Sequence, residues 1–332
     1  MSDPSTAQNA ADSIHGRGEF AVIDAITRRL PQGEAVSVPP GDDAAVVRID
    51  ETPVAVTTDV LVAGVHFRTD WSGPDDIGRR AAAATLADLV AMGADPVALV
   101  VALVAPPSTD ADWVLRVADG LRDEAAITGA SVVGGDLSAG DRIAVTVTGI
   151  GSLGGRVPVL RSGAMAGDQV AVAGRLGWAE AGLAVLGRGF RSPRVLVDAY
   201  RRPEIPYWAG LVAAASGVHA MCDVSDGLLA DLGHICTSSD VRINIESALI
   251  EIGDPVASVA AAYGSDPLPW VLAGGHDHAF VAAFAADDEL PEGFTRIGDV
   301  GPPTGFDAAG GSMVTVDGEV WAGPSGHRHF DG

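Results

Sequence analysis

The sequence predicts an α/β (α+β) fold made of two mixed α/β domains. The chain has 332 residues, enough for two domains of roughly 150 residues each, and 47% of them are apolar, which suffices for a core in both. Strand-like and helix-like runs occur in both halves of the chain. The glycine-rich stretch Gly149–Gly155 separates these halves, so we predict domains over residues 1–150 and 151–332.

In the first half, apolar residues at helical spacing predict helices, and β-branched runs predict strands. The predicted helices cover 19–30, 75–92 and 110–128, and the predicted strands cover 44–49, 53–58, 97–105, 131–134 and 143–150. The helix over 75–92 has an acidic first turn and ends before Gly93. The run 97–105 is continuously apolar, so we expect both faces of that strand to be covered.

The same patterns begin again after the glycine-rich stretch. Strands are predicted over 169–173, 219–222, 242–245, 279–284 and 295–300, and helices over 178–186, 207–216 and 227–238. Cys222 and Cys236 both lie in apolar patterns, and we expect them to be buried small hydrophobic residues. With no other cysteine in the chain, a cysteine-based zinc site is excluded.

The formal net charge of −23 disfavours nucleic acid and anionic membranes as partners, because like charges repel. The N-terminal residues 1–18 are polar, and the longest apolar run, 97–105, is too short to cross a bilayer. We therefore expect a cytoplasmic protein without a membrane partner.

Four short aspartate-centred strings recur in a chain that contains no lysine. They are Gly41-Asp42-Asp43-Ala44-Ala45, Thr57-Thr58-Asp59, Gly134-Gly135-Asp136 and Asp223-Val224-Ser225-Asp226-Gly227. Without lysine, a P-loop lysine and a lysine Schiff base are both excluded. The alternative for phosphate chemistry is a divalent metal held by several carboxylates, since Mg²⁺ prefers hard oxygen ligands.

Asp88 lies alone among uncharged helical neighbours, which are Ala84, Thr85, Ala91 and Met92. A buried carboxylate needs a partner, a proton or a metal, because an unpaired buried charge costs many kcal/mol. A hydrogen bond to a nearby arginine or backbone amide explains Asp88 as well as a metal does. The sequence leaves both interpretations open.

The remaining aspartates have local explanations as well. We expect Asp59 at the end of a strand, where a simple turn residue is common, and Gly134-Gly135-Asp136 at the close of a short strand. Asp226 is placed to cap the helix over 227–238, whereas Asp223 has no such role.

Histidine pairs occur at His276-Asp277-His278 and His327-Arg328-His329. Their spacing matches no zinc motif, so we expect histidines of surface loops. His66 fits either a core histidine or a ligand contact.

Taken in order, these segments resemble the thiamine-monophosphate kinases, in the superfamily that also contains aminoimidazole ribonucleotide synthetase and selenophosphate synthetase. The matching segments are 41–45, 57–67, 87–96, 134–138, 161–164 and 223–235. The resemblance implies two α/β domains of the aminoimidazole ribonucleotide synthetase-like type, with the N-terminal domain binding metal and ATP and pairing with its copy in a homodimer. Selenophosphate synthetase would need a reactive cysteine near the N-terminus, and the first cysteine here is Cys222.

The family reaction is phosphoryl transfer from ATP to thiamine monophosphate, assisted by several Mg²⁺ ions. The resemblance implies Mg²⁺ ligands at Asp43, Thr57, Thr58, Asp59, Asp88, Asp136, Asp223 and Asp226, among which Asp43, Asp59, Asp88, Asp136 and Asp223 are the expected catalytic residues. It implies ATP contacts from Gly135, Asp136, Arg161 and Ser225, and a substrate contact from His66.

The chain departs from the family at two acceptor positions. Gly274-Gly275-His276-Asp277-His278 stands where the family has Gly-Gly-Glu-Asp-Tyr, whose glutamate contacts substrate, and His327 stands near the position of an aromatic residue. We therefore expect His276 and His327 to contact the acceptor. The alternative is a repurposed or non-catalytic nucleotide-binding member of the superfamily with a different acceptor.

Overall fold

The computed structural model describes residues 17, 22, 25–34, 36–38, 46–47, 53–303 and 313–327. The chain forms two compact units. Unit 1 contains residues 1–89 and 94–155, and unit 2 contains residues 90–93 and 156–332. The predicted domain limit between residues 150 and 151 falls inside a strand of unit 1, Ala144–Ser152.

A four-stranded sheet and two long helices form the centre of unit 1. In chain order the elements are β1 (Val36–Val38), β2 (Val46–Val47), β3 (Val54–Val62), α1 (Pro74–Ala91), β4 (Asp95–Ala105), α2 (Ala111–Thr128), β5 (Ser131–Ala139) and β6 (Ala144–Ser152). The four-stranded sheet has the order β3-β6-β4-β5, and β1 pairs with β2 separately. Only the β4–β5 pair of the four-stranded sheet is parallel.

Helices α1 and α2 pack closely because each has a glycine that faces the backbone of the other helix. A Cβ atom on Gly78 would lie 2.1 Å from the carbonyl oxygen of Val117, and one on Gly120 would lie 2.2 Å from that of Asp75. No side chain larger than hydrogen fits at either position. The Asp110 carboxylate accepts a 2.9 Å hydrogen bond from the amide of Asp112 and caps α2.

The sheet of unit 1 has one covered face and one open face. Leu99 is buried against α1, and Gly149 on the same face approaches the side chains of Thr85 and Leu89. On the opposite face, Val100 is 39% exposed and Ala102 is exposed. Among the described residues of one chain, the expectation that both faces of this strand are covered is not met, because α1 and α2 pack on one side of the sheet only.

Unit 2 is built on a mixed seven-stranded sheet with the order β13-β12-β9-β11-β7-β10-β8. Its strands are β7 (Gln169–Ala173), β8 (Ala220–Asp223), β9 (Arg242–Ile245), β10 (Phe280–Phe284), β11 (Phe294–Gly301), β12 (Val314–Val316) and β13 (Glu319–Val320). Its helices are α3 (Trp178–Gly187), α4 (Arg194–Arg201), α5 (Tyr207–Ala215), α6 (Leu228–Ser239), α7 (Asp254–Tyr263) and α8 (Leu268–Ala273). Cys222 and Cys236 are both buried in the core of this unit, as expected.

Within the described part of the chain, no helix is both long enough and apolar enough to span a membrane.

Candidate functional site

In unit 1, β3 and α1 bring two hydroxyl groups and two carboxylates together. Thr57 Oγ1 donates a 2.7 Å hydrogen bond to Asp88 Oδ2, and Thr85 Oγ1 donates a 3.0 Å hydrogen bond to Asp59 Oδ2. Thr57 and Asp59 are two residues apart on a strand and share a face, while Thr85 and Asp88 are three apart on a helix and share a face. We call these four residues the β3–α1 oxygen cluster.

Asp59 lies in the middle of β3 and not at its end, because the strand continues to Val62. The sequence did not identify Thr85 as a functional residue. Its only signal was its position three residues before Asp88 on the same helix. Thr85 is fully buried, and Asp59 and Asp88 are partly buried, so the cluster lies at the margin of the core.

Asp136 lies in β5 on the open face of the sheet, away from the β3–α1 oxygen cluster. It pairs with the exposed Ala102, whereas Asp59 pairs with the buried Val147. Strands β6 and β4 separate β3 from β5. The Gly134-Gly135-Asp136 string is thus internal to β5, which continues to Ala139, and does not close a short strand.

The other expected residues of unit 1 have separate positions. The hydroxyl of Thr58 is on the open face, 3.0 Å from that of Thr148. His66 lies in the turn after β3, where its Nδ1 accepts a 2.9 Å hydrogen bond from the amide of Val62. Asp43, with the rest of its string, is outside the described residues.

In unit 2, Asp223 ends β8 and is buried beside a histidine. Its Oδ2 lies 2.8 Å from Nδ1 of His278. Both side chains are only 5% exposed. The expectation of surface histidines is therefore wrong for His278, because β10 pairs with β8 and carries the loop before it onto Asp223.

The turn after β8 is closed by Asp231, which lies in the first turn of α6. Its Oδ2 accepts 3.1 Å hydrogen bonds from the amides of Asp226 and Gly227. Helix α6 begins at Leu228, and Gly227 precedes it without a side-chain cap. The expectation that Asp226 caps this helix is therefore wrong: Gly227 occupies the N-cap position, and Asp231 instead binds the backbone of the turn that precedes the helix.

Asp226, Asp231 and His234 form a second group of possible metal ligands, whose ligand atoms lie within 4.8 Å of one another. Burial raises the pKa of Asp231 to about 7, and the negative charges of Asp223 and Asp226 add to the shift. Neither Asp231 nor His234 was predicted from the sequence as a site residue. Their signal was the three-residue spacing on one face of α6.

Two further segments hold the turn over 223–227 through backbone hydrogen bonds. The amide of His276 donates to the carbonyl oxygen of Ser225 at 2.8 Å, and the amide of His327 donates to that of Asp226 at 2.9 Å. Gly227 has a φ of +124°, and a Cβ atom there would lie 2.6 Å from the carbonyl oxygen of Ala273. His276 and His327 therefore lie on either side of this turn.

Asp277 lies in the loop over 274–279, which contains His276 and His278, and connects this loop to the first turn of α3. Its two carboxylate oxygens accept hydrogen bonds of 2.5 and 2.8 Å from the amides of Gly177 and Ala179. Burial raises the pKa of Asp277 to about 7, although both amide donors oppose this shift. The carboxyl group thus fixes the loop and the helix terminus relative to one another.

Arg161 is exposed in a short turn over Arg161–Gly163. Ser239 at the end of α6 holds this turn by donating a 2.6 Å hydrogen bond to the Arg161 carbonyl oxygen. The backbone of Arg161 is therefore held in place, while the residue is exposed to solvent.

The donor groups of both units suit a hard divalent cation. In unit 1 the β3–α1 oxygen cluster offers hydroxyl and carboxylate oxygens. In unit 2, separately, the turn over 223–227 offers the carboxylates of Asp223 and Asp226. Oxygen-only donor sets favour Mg²⁺ over Zn²⁺ or copper. The residues present therefore fit Mg²⁺.

Two family models match the chain. The N-terminal domain of the AIR synthase related proteins matches residues 41–153, and the C-terminal domain of the same proteins matches residues 165–298.

The curated relatives and solved structures agree with one another. A thiamine-monophosphate kinase of Mycobacterium tuberculosis is 46% identical over 314 residues, which cover 94% of this chain and 92% of that protein. The crystal structure of thiamine-monophosphate kinase from Stenotrophomonas maltophilia K279a superposes with a TM-score of 0.79 at 32% identity, covering 92% of this chain and 98% of that one. The structure of AaThiL complexed with AMPPCP and TMP superposes with a TM-score of 0.76 at 29% identity, covering 95% and 97%.

Proposed function

Because the chain belongs to the thiamine-monophosphate kinase family, we propose that it transfers the γ-phosphoryl group of ATP to thiamine monophosphate, giving thiamine diphosphate and ADP. The observation that carries this proposal is the β3–α1 oxygen cluster in a chain without lysine. The complex of AaThiL with AMPPCP, an ATP analogue, and TMP supports the same pair of substrates.

The acceptor in this reaction is itself a phosphate and is already ionised near neutral pH. No side chain is needed to remove a proton from it. The main barrier is the repulsion between two anions. Catalysis of phosphoryl transfer then rests on positioning and on electrostatic stabilisation.

The residues that would hold Mg²⁺ are Asp43, Thr57, Asp59 and Asp88 in unit 1, Asp223 and Asp226 in unit 2, and, on the open face of the unit 1 sheet and so apart from the β3–α1 oxygen cluster, Thr58 and Asp136. Mg²⁺ bound there would neutralise phosphate charge and polarise phosphoryl oxygens. Thr85 orients the Asp59 carboxylate through its 3.0 Å hydrogen bond, and Thr57 orients that of Asp88 at 2.7 Å. His278, which is 2.8 Å from Asp223, fixes the carboxylate of unit 2 in the same way.

Nucleotide binding is assigned to Gly135, Asp136, Arg161 and Ser225. Gly135 has no side chain to cover the backbone of β5, and Arg161 supplies a planar, permanent positive charge that pairs well with phosphate. Acceptor binding is assigned to His66, His276 and His327. His276 and His327 flank the turn that carries Asp223 and Asp226, which supports this assignment.

The open face of the unit 1 sheet supports a homodimer. Val54, Val56, Val60 and Val100 are 41%, 63%, 46% and 39% exposed on this face. Exposed valines on β3 and β4, on the same face of one sheet, favour burial against a matching surface. The N-terminal domain, residues 1–150, is thus the dimerisation and metal- and ATP-binding domain, and a second copy of the chain is its partner.

Since ATP is a cytoplasmic metabolite, the protein acts in the cytoplasm.

The transfer is direct and in line, without a phosphorylated enzyme. ATP carrying a radiolabelled γ-phosphate tests this: we expect label in thiamine diphosphate and none on protein after an acid quench. Labelled protein that forms and decays at the rate of turnover would show a two-step transfer instead.

A further inference from the structure

One carboxylate of unit 2 lies beside the two acceptor histidines without belonging to any metal cluster. Glu180 is partly buried in the first turn of α3, and a Cβ atom on Gly274 would lie 2.6 Å from Glu180 Cβ. Its side-chain stem therefore packs against the loop that contains His276. Asp277, in that loop, accepts hydrogen bonds from the amides of Gly177 and Ala179 at the N-terminus of the same helix.

The charge environment of Glu180 points to a ligand. Burial raises the pKa of Glu180, and the positive charge of His327 opposes the shift. An acidic residue in a first helical turn normally stabilises the helix from an exposed position. Here Asp277 already accepts from the amides of that turn, so the helix does not need Glu180 as a cap. A partly desolvated carboxylate is costly unless a hydrogen-bond donor satisfies it.

We propose that Glu180 is a specificity-determining residue, whose carboxylate accepts a hydrogen bond from the exocyclic amino group of the acceptor's aminopyrimidine ring. The proposal rests on the proposed function, because that function names thiamine monophosphate as the acceptor. The aminopyrimidine is the part of this acceptor that presents an N–H donor far from the reacting phosphate. Glu180 packs against Gly274, two residues before His276, and interacts electrostatically with His327, so the three residues lie in the same part of unit 2.

The test replaces the amino group on the ligand and the carboxylate on the protein. The ligand is oxythiamine monophosphate, whose pyrimidine carries an oxo group in place of the amino group. The wild-type enzyme should prefer thiamine monophosphate by about 10- to 100-fold in kcat/KM, as expected for a hydrogen bond to a charged group. Glu180→Gln can donate to the oxo group, so the preference should fall to about unity or reverse.

Three controls separate this role from a structural one. Glu180→Gln should raise the KM for thiamine monophosphate about tenfold or more and leave the KM for ATP and the melting temperature unchanged. Glu180→Asp should recover part of the affinity, and Glu289→Ala, on an exposed loop of the same unit, should change neither KM. If Glu180→Gln keeps the wild-type KM and the wild-type preference, Glu180 does not accept a hydrogen bond from the amino group of the acceptor. If the wild-type enzyme makes no thiamine diphosphate, the proposed function itself fails.

Discussion

Thr57 Oγ1 donates a 2.7 Å hydrogen bond to Asp88 Oδ2 and so joins the middle of β3 to the C-terminal half of α1. The bond explains how an aspartate is tolerated on a helix face whose neighbouring positions are uncharged. It also fixes the direction of the Asp88 carboxylate, which is what a metal ligand requires.

Asp88→Asn should abolish turnover and leave the fold intact. The amide keeps the volume and can still accept from Thr57, but it lacks the charge that would hold Mg²⁺. We expect kcat to fall by about 100-fold or more, with a melting temperature within a few degrees of wild type. The matched control is Asp141→Asn, an exposed aspartate of the same unit. Near-normal activity of Asp88→Asn would show that Asp88 is only structural.

His276→Glu should lower the KM for thiamine monophosphate more than the KM for ATP. The backbone of His276 is held by the 2.8 Å hydrogen bond to Ser225, and its φ of +67° is unusual for a residue with a side chain. A carboxylate there would add an acceptor for the amino group of the substrate. Steady-state kinetics with each substrate varied in turn measure both constants. An unchanged KM, or an equal change in both, argues against a substrate role for position 276.

The raised pKa of Asp277 predicts a stability that falls between pH 4 and pH 7. Its pKa is about 7 when folded and about 3.9 when unfolded. Between these values the folded state holds the extra proton, so raising the pH removes stabilisation, by roughly 4 kcal/mol at most. Asp277→Asn does not ionise, and its free energy of unfolding should lose this part of the pH slope. Urea unfolding at several pH values measures the slope; identical slopes in the two proteins would contradict the prediction.

The sequence predicted most strands of the two large sheets, but β1, β12 and β13 were not predicted, and β5 was predicted only over 131–134. β7 and β9 were predicted with their observed limits because β7 is a short apolar run and β9 alternates polar and apolar residues. The helices α4, α7 and α8 were not predicted: α4 and α8 have eight and six residues, too few for a sustained helical period, and α7 mixes small residues without a clear apolar stripe. Such helices form through tertiary packing and not through local pattern.

The sequence predicted less of the candidate site than of the fold. Thr57 and Asp59 interrupt the apolar pattern of β3, so the sequence predicted a strand end where polar groups of β3 in fact meet polar groups of α1. Asp231 looks like any surface acid of a helix, and its burial comes from long-range packing. His278 contacts Asp223 although the two are 55 residues apart in the sequence, and no local sequence pattern predicts such a contact.

If the proposed homodimer forms through the open face of the unit 1 sheet, Val56→Asp should convert it to monomers. Val56 is 63% exposed on the open face of the unit 1 sheet, and a charge there would be buried without a partner in the interface. Analytical ultracentrifugation measures the mass. Val157→Asp, at a valine that is 84% exposed and lies outside this sheet, is the control and should stay dimeric. A dimer of unchanged stability in Val56→Asp would place the interface elsewhere.

The most direct test of the central claim is product analysis with ATP, thiamine monophosphate and Mg²⁺. We predict thiamine diphosphate and ADP in equal amounts, no product after treatment with EDTA, and recovery when Mg²⁺ is restored. ATP binding without any thiamine diphosphate, or ADP release at the same rate in the absence of thiamine monophosphate, would contradict the assignment.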